Sequence, residues 1–301
     1  MASEGKTIKL DDGRSLGYGA TGPEDGRPVF FCHGTPGSRL DIHVGDTEAL
    51  VAERGIRLYV LERPGYGLSD PNPARRVVDW GDDVRQVADA LGVEQFSVYG
   101  YSGGGPHALA CAARLGDRVS SVATVSGVGV SGIPGEFNGM GPNERLLHRL
   151  VRISPRVVDV VYRVVRRNAR RNPDRFFRDF EKDCSESDRE VLADSRTREA
   201  FLATVIEALR TGVQGAVEDW VVLDQRPWGF DPEEITVPTV LVYGDADRMV
   251  PVTQGRDLAR RIPHAKTIEV PGEGHLLIVK RMAEILDALE VAPRAGEGVV
   301  S

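Results

Sequence analysis

Short apolar runs alternate with amphipathic segments along the first 130 residues of the chain. The runs Pro28–Cys32 and Ile56–Leu61 are nearly continuous, as expected for strands that are buried on both faces. The segment 80–91 instead has apolar residues at three- and four-residue spacing, which is typical of a helix, and Gly92 follows as a stop signal. This alternation predicts an α/β fold with a mostly parallel central sheet flanked by helices.

The alternation stops near Gly132 and resumes near Asp231. Between them the pattern predicts helices at Asn143–Ile153, Arg156–Asn168, Asp174–Asp183, Ser187–Asp194, Arg198–Gly212 and Val217–Leu223. We therefore predict a core made of residues 1–132 and 232–291, and an inserted helical cap over 133–231. The small, Gly-containing tail 292–301 is predicted to be disordered.

The composition narrows the class of protein. The 301 residues carry a formal net charge of −7, with 41% apolar and 28% charged residues, which is ordinary for a globular protein. The three cysteines form no CxxC pair that could bind zinc or carry redox chemistry. We expect no metal site and no cofactor. An acidic chain is a poor candidate for nucleic-acid binding. The polar first ten residues and the lack of a long apolar run predict a cytoplasmic protein without a membrane span.

The segment 100–104, Gly-Tyr-Ser-Gly-Gly, follows a predicted strand and opens a predicted helix. This is the context of a G-x-S-x-G nucleophile elbow, in which a sharp turn presents the serine above the sheet. Ser102 is therefore the candidate nucleophile, and it needs a base with an orienting acid.

The candidate base and acid follow later strands. His275 lies after the last predicted strand, Thr267–Val270, and two aspartates, Asp245 and Asp247, follow the predicted strand Thr239–Gly244. We assign the acid to Asp247 and a turn-capping role to Asp245. The chain order is then serine, aspartate, histidine.

A developing oxyanion needs two backbone donors. The N–H of Gly103, directly after the serine, is the first candidate. The turn 33–37 after the predicted strand Pro28–Cys32 supplies the second, and because Pro36 has no N–H, Thr35 is the predicted donor.

These motifs together resemble the α/β-hydrolase fold family over residues 5–132 and 232–290. The matching segments are HGTPGS at 33–38, RPGYGLSD at 63–70, GYSGGG at 100–105, GDADRMVP at 244–251 and GEGH at 272–275. The resemblance implies the same triad and the same oxyanion donors. It also implies a helical cap, inserted between the strand that precedes Asp247 and the strand before that one. Glu62 departs from the aspartate that relatives usually carry there, in a loop that we interpret as architectural.

The function predicted from these residues is a serine hydrolase that cleaves a carboxylic ester or lactone through an acyl-enzyme on Ser102. Carbon–carbon bond hydrolysis, thioester or amide hydrolysis, iminopeptidase and cofactor-free peroxidase-like chemistry remain alternatives, as does a non-catalytic ligand-binding relative. The expected partner is a small acyl substrate, and the protein is expected to be a monomer or homodimer.

The cap supplies the remaining candidates. We predict that Tyr101, next to the serine, and the cap residues Phe137, Phe176 and Trp220 contact substrate. The segment 144–178 also holds eleven arginines and three acids, a net charge of +8. This excess is compatible with an anionic substrate, an acidic carrier protein or a membrane surface, or with a solvated helical face.

Overall fold

The computed structural model describes residues 5–290, so the tail 292–301 lies outside the described residues. An eight-stranded sheet forms the centre of the molecule. Its strands are β1 (Lys6–Lys9), β2 (Ser15–Thr21), β3 (Arg27–Cys32), β4 (Ile56–Leu61), β5 (Phe96–Tyr101), β6 (Val119–Val125), β7 (Thr239–Gly244) and β8 (Lys266–Val270). They lie in the order β1-β2-β4-β3-β5-β6-β7-β8.

The pairing brings several loops to one edge. Strand β2 is antiparallel to β1 and β4, whereas β3 to β8 run parallel to one another. The carboxyl ends of these six strands therefore meet at one edge of the sheet, where open α/β sheets bind ligands. Cys32 pairs with Gly100, which sets the loop after β3 beside the turn after β5.

Eleven α-helices lie within the described residues. They are α1 (Thr47–Glu53), α2 (Asp79–Ala90), α3 (Gly105–Arg114), α4 (Pro142–Ile153), α5 (Pro155–Arg171), α6 (Pro173–Phe180), α7 (Glu186–Ala193), α8 (Ser195–Ala208), α9 (Gln214–Asp224), α10 (Val252–Arg261) and α11 (Leu277–Ala288).

Helices cover both faces of the sheet. Phe30 packs in one apolar cluster with residues of α2, α3 and α10, while its neighbours Val29 and Phe31 pack in another with residues of α1 and α11. This alternation follows from strand geometry, because successive side chains point to opposite faces. The sequence between β3 and β4 predicts one helix over Ser38–Arg54, and this prediction is wrong. A 3₁₀ turn and α1 are present instead, separated by Gly45, whose φ of 65° ends the first turn.

Helices α4 to α9 form an insertion between β6 and β7, and all six helices predicted there are present. The insertion has its own apolar cluster, which also contains Tyr66, Met249 and Leu276. Since these three residues follow β4, β7 and β8, the insertion packs over the carboxyl edge of the sheet. No helix among residues 5–290 combines the length and apolar content needed to cross a bilayer.

Candidate active site

Ser102 lies in a strained turn between β5 and α3. Its φ is 53°, a left-handed value that a residue with a side chain rarely adopts. A Cβ on Gly103 would collide with Oγ1 of Thr35, and a Cβ on Gly104 would collide with the carbonyl oxygens of Cys32 and His33. The turn therefore requires glycine after the serine, as the nucleophile-elbow interpretation predicts.

Ser102, His275 and Asp247 form a hydrogen-bonded series. The distance from Ser102 Oγ to His275 Nε2 is 3.0 Å, and from His275 Nδ1 to Asp247 Oδ2 it is 2.8 Å. The other carboxylate oxygen, Oδ1, accepts the backbone N–H groups of Met249 at 2.8 Å and Val250 at 2.9 Å. The carboxylate is thus held by the chain that follows β7. Such a series can pass the hydroxyl proton to the imidazole ring.

Two opposing effects set the pKa of His275. Burial by itself lowers it, but the charge and hydrogen bond of Asp247, together with the charges of Asp188 and Glu144, outweigh burial and raise the pKa above its usual value. The carboxylate therefore favours the imidazolium form, which is the form that arises when the ring takes a proton.

The two aspartates after β7 have different surroundings. Asp247 is buried and contacts His275, whereas Asp245 is exposed and its Oδ1 accepts the N–H of Gly272 at 2.7 Å. Asp245 therefore stabilises the turn before His275 and does not contact the imidazole.

Thr35 lies beside Gly103 and is hydrogen-bonded to a residue of the inserted helices. Its Oγ1 donates a hydrogen bond to Oδ2 of the buried Asp219 on α9, at 2.8 Å. Asp219 also binds Arg63 at 2.5 Å and Arg75 at 2.6 Å. Burial raises the pKa of Asp219, but the two guanidinium groups outweigh burial and hold it well below its usual value. This ionised carboxylate anchors the loop that carries the predicted second oxyanion donor.

A cavity of about 100 Å³ opens at Ser102. Its lining includes Tyr101 and Trp220, two of the four predicted substrate contacts. Phe137 is not among the lining residues, because its ring packs against His148 and the guanidinium of Arg152.

An adjoining cavity of about 420 Å³ is lined by Phe176, the remaining predicted contact. The two cavities share lining residues from the loop after β3, the insertion and the loop after β7. These shared residues are Thr35, Pro36, Glu144, Phe180, Phe201 and Met249.

Polar residues of the insertion also line the cavity at Ser102, and sequence reasoning missed them. His148 Nδ1 lies 2.8 Å from Asp224 Oδ1, and both residues line the cavity together with Glu144. Burial, partly opposed by the charge of His148, raises the pKa of Glu144 to about 7. The four-residue spacing of Glu144 and His148 on α4 was the available signal, since it places both on one helix face.

Two other histidines and Glu62 are structural. Burial lowers the pKa of His107 to about 3, and its Nδ1 contacts the carbonyl of Gly103 at 2.9 Å. His33 Nε2 accepts the backbone N–H of Arg63 at 3.0 Å. Glu62 is buried and accepts the N–H of Leu68 at 2.8 Å, which supports the architectural interpretation of its loop.

Comparisons with known proteins agree with this architecture. The family model described as alpha/beta hydrolase fold matches residues 27–281. The chain is 25% identical over 281 residues to the bifunctional esterase/perhydrolase DCH of Acinetobacter calcoaceticus, covering 89% of this chain and 92% of that protein.

A second relative matches over a shorter stretch. The chain is 33% identical over 125 residues to a non-heme chloroperoxidase of Streptomyces lividans, covering 40% of this chain and 44% of the relative. Among solved structures, a hydrolase from Pseudomonas aeruginosa PA01 superposes with a TM-score of 0.71 at 16% identity, covering 96% of this chain and 98% of that one. At that identity the likeness shows the fold alone.

Proposed function

The chain belongs to the alpha/beta hydrolase fold family, and on this premise we propose that it is a serine hydrolase that cleaves a carboxylic ester or lactone. The observation that carries the proposal is the hydrogen-bonded series from Ser102 through His275 to Asp247, with its serine in a cavity. The proposal extends to the roles of these residues, to the oxyanion donors Thr35 and Gly103, and to residues 133–231 as a cap.

In the proposed mechanism, the first half of the reaction transfers the acyl group to Ser102. As Ser102 Oγ bonds to the ester carbonyl carbon, His275 Nε2 takes the hydroxyl proton. The backbone N–H groups of Gly103 and Thr35 donate to the oxyanion that develops on the carbonyl oxygen. When the tetrahedral intermediate collapses, the bond to the alcohol oxygen breaks and His275 returns the proton to that oxygen. Throughout, Asp247 orients the ring and stabilises its charged form.

Deacylation repeats these steps with water. His275 takes a proton from water as its oxygen attacks the acyl carbon, and then protonates Ser102 Oγ as the acid leaves. A lactone follows the same sequence, except that its alcohol and acid parts remain in one molecule.

The lining of the cavity favours a neutral acyl substrate. None of the described residues that line the cavity at Ser102 is lysine or arginine, whereas Glu144 lines it with no hydrogen bond to its carboxyl group from residues 5–290. A second carboxylate on the substrate would meet this acid without a compensating cation. Ester chemistry is also supported by the similarity to the Acinetobacter relative, an esterase/perhydrolase.

The test is covalent labelling with a fluorophosphonate, followed by intact mass and peptide mapping, on wild type and Ser102→Ala. Ser126→Ala is the matched control. Like Ser102, Ser126 is a serine with a left-handed φ, 47°; it is buried, and its Oγ donates a hydrogen bond to the carbonyl oxygen of His275 at 3.4 Å. It therefore shares the backbone strain of Ser102 but not the contact with Nε2.

We expect one label, on Ser102, in wild type and in Ser126→Ala, and none in Ser102→Ala. A panel of esters, lactones, thioesters and amides then identifies the bond that is cleaved. Absence of labelling in a folded protein that still binds small esters would contradict the proposal and favour a non-catalytic binding protein. Labelling with turnover of thioesters or amides only would reject the ester assignment while keeping the triad.

A further inference from the structure

Helices α4 and α5 carry an unusual set of exposed apolar side chains. Among residues 5–290, the large hydrophobic side chains that are exposed all lie on these two helices, with exposed fractions between 38% and 78%. They are Leu146, Ile153, Val157, Val160 and Val164. Single exposed hydrophobic residues are normal on protein surfaces, but a contiguous group marks an interaction surface.

The spacing places these side chains on the outer faces of the two helices. Val157, Val160 and Val164 are three and four residues apart, so they form one stripe along α5. The buried residues Val158 and Tyr162 define the opposite side, which packs inward.

Helix α4 repeats this arrangement. Leu146 and Ile153 are seven residues apart, which is two helical turns, and Val151 is buried on another side of the helix. Leu146 also lines the 420 Å³ cavity together with Val160 and Val164. The stripes of α4 and α5 therefore meet at the same opening.

Arginines border both stripes. Arg149 lies three residues after Leu146, and Arg156 and Arg167 lie beside the valine stripe, with Arg171 one further turn along. The side chains of these four arginines make no hydrogen bond or ion pair with any other residue in the described part of the chain, and all four residues are exposed. Their charges are thus available to an external anion.

The cavity connects this surface with Ser102. The 420 Å³ cavity reaches from the exposed Leu146 and Val164 to Thr35, Glu144 and Met249, which also line the cavity at Ser102. The lining of this cavity is mostly apolar, so an apolar molecule that arrives at the stripes has a largely apolar route toward the serine.

We propose that the apolar–arginine face, made of Leu146, Ile153, Val157, Val160 and Val164 with Arg149, Arg156, Arg167 and Arg171, docks on the surface of an anionic lipid membrane. The aliphatic stripes enter the boundary of the acyl chains, and the guanidinium groups bind lipid phosphates. This binding does not depend on the chemistry proposed for Ser102.

Two other occupants fit the face less well. A second copy of the chain that uses the same face would oppose two arginine clusters, because a twofold contact pairs identical surfaces. An acidic protein partner would satisfy the arginines, but protein interfaces concentrate energy in Trp, Tyr and Arg, whereas Leu and Val are under-represented there. The apolar part of this face is entirely Leu, Ile and Val.

The test is co-flotation of the full-length protein with vesicles of phosphatidylcholine alone or mixed with phosphatidylglycerol. One variant replaces Arg149, Arg156, Arg167 and Arg171 with Gln, and a second replaces Ile153, Val160 and Val164 with Ser. The matched control replaces four arginines at the surface of other regions, each in an ion pair, with Gln; these are Arg76, Arg85, Arg114 and Arg260. The control removes the same charge from a different surface.

We expect wild type and the control to float with the mixed vesicles, and both face variants to remain in solution. Loss of four arginines should lower the partition coefficient at least about 100-fold, since each contributes about a factor of five near an anionic surface. Added salt should weaken binding, because it screens these charges.

Two results would overturn the proposal. The first is failure of wild type to float with the mixed vesicles, and the second is equal loss of binding in the control. If vesicle binding is absent, a dimer seen by light scattering that disappears in the Ser variant would assign the face to a second copy of the chain. Binding to poly-glutamate beads but not to vesicles would assign the face to an acidic protein.

Discussion

Replacement of Asp247 by Asn tests the proposed triad at its buried end. Asp247 Oδ1 accepts two backbone N–H groups, while Oδ2 faces His275 Nδ1. In the Asp247→Asn variant the amide oxygen remains with the two N–H donors, so the NH₂ group faces the imidazole. The ring must then accept at Nδ1 and carry its proton on Nε2, which can no longer accept the proton of Ser102.

The contacts of the carboxylate set the size of the effect. Activity survives only if the amide that replaces this carboxylate rotates by 180°, so that its oxygen faces His275 Nδ1. The two buried backbone N–H groups then face NH₂ instead of oxygen. Each buried donor left unpaired costs about 1–3 kcal/mol, so the flip costs about 2–6 kcal/mol. At about 1.36 kcal/mol per tenfold change in rate, this corresponds to a loss of roughly 30-fold to 10⁴-fold in kcat.

The assay is the initial rate of hydrolysis of a chromogenic ester, measured with the rate of fluorophosphonate labelling. Both rates should fall together, because both depend on the same activated serine. Proton NMR supplies an independent readout, since the downfield Nδ1–H resonance of His275 should disappear when that nitrogen becomes an acceptor. Circular dichroism checks that the variant is folded.

Asp245→Asn is the matched control, two residues away in the same loop. Because Asp245 is exposed and accepts only the N–H of Gly272, its replacement should change kcat less than about 10-fold. The reasoning is refuted if Asp247→Asn keeps its activity within tenfold of wild type, or if Asp245→Asn is the more damaged variant.

The remaining predictions concern pH and stability. The carboxylate of Asp247 raises the pKa of His275, and the proposed catalysis needs the neutral ring. The acid limb of kcat/KM against pH should therefore have its midpoint above about pH 6.5. A midpoint below that value would contradict the raised pKa of His275. The charge of Glu144 contributes to the raised pKa, so Glu144→Gln should move this limb to lower pH, and a shift to higher pH would contradict the assignment. Asp219→Asn breaks a buried ion pair with two arginines and should lower the free energy of unfolding in urea by about 3–5 kcal/mol. Glu284→Gln, which breaks an exposed pair, should cost less than about 1 kcal/mol; equal losses would show that the buried network does not stabilise the fold.

Local pattern determined the fold and the candidate nucleophile of this protein. A buried strand has a nearly continuous apolar run and an amphipathic helix has a 3.6-residue period, so both can be recognised within one segment. The turn at Ser102 is also a local feature, because its left-handed φ and close backbone contacts demand glycine neighbours. The parallel strand order then brings the residues after β5, β7 and β8 to one edge, which the alternation of elements already implies.

Only the tertiary structure decided what surrounds the serine. Trp220 lines the cavity while Phe137 does not, although both are aromatic residues of the predicted cap. The contact of His148 with Asp224 joins residues 76 positions apart in the sequence. The hydrogen bond between Thr35 and Asp219 joins residues 184 positions apart. Such contacts depend on the angles at which the inserted helices cross the sheet edge. Those angles are set by the complementary packing of many side chains and leave no local pattern in the sequence.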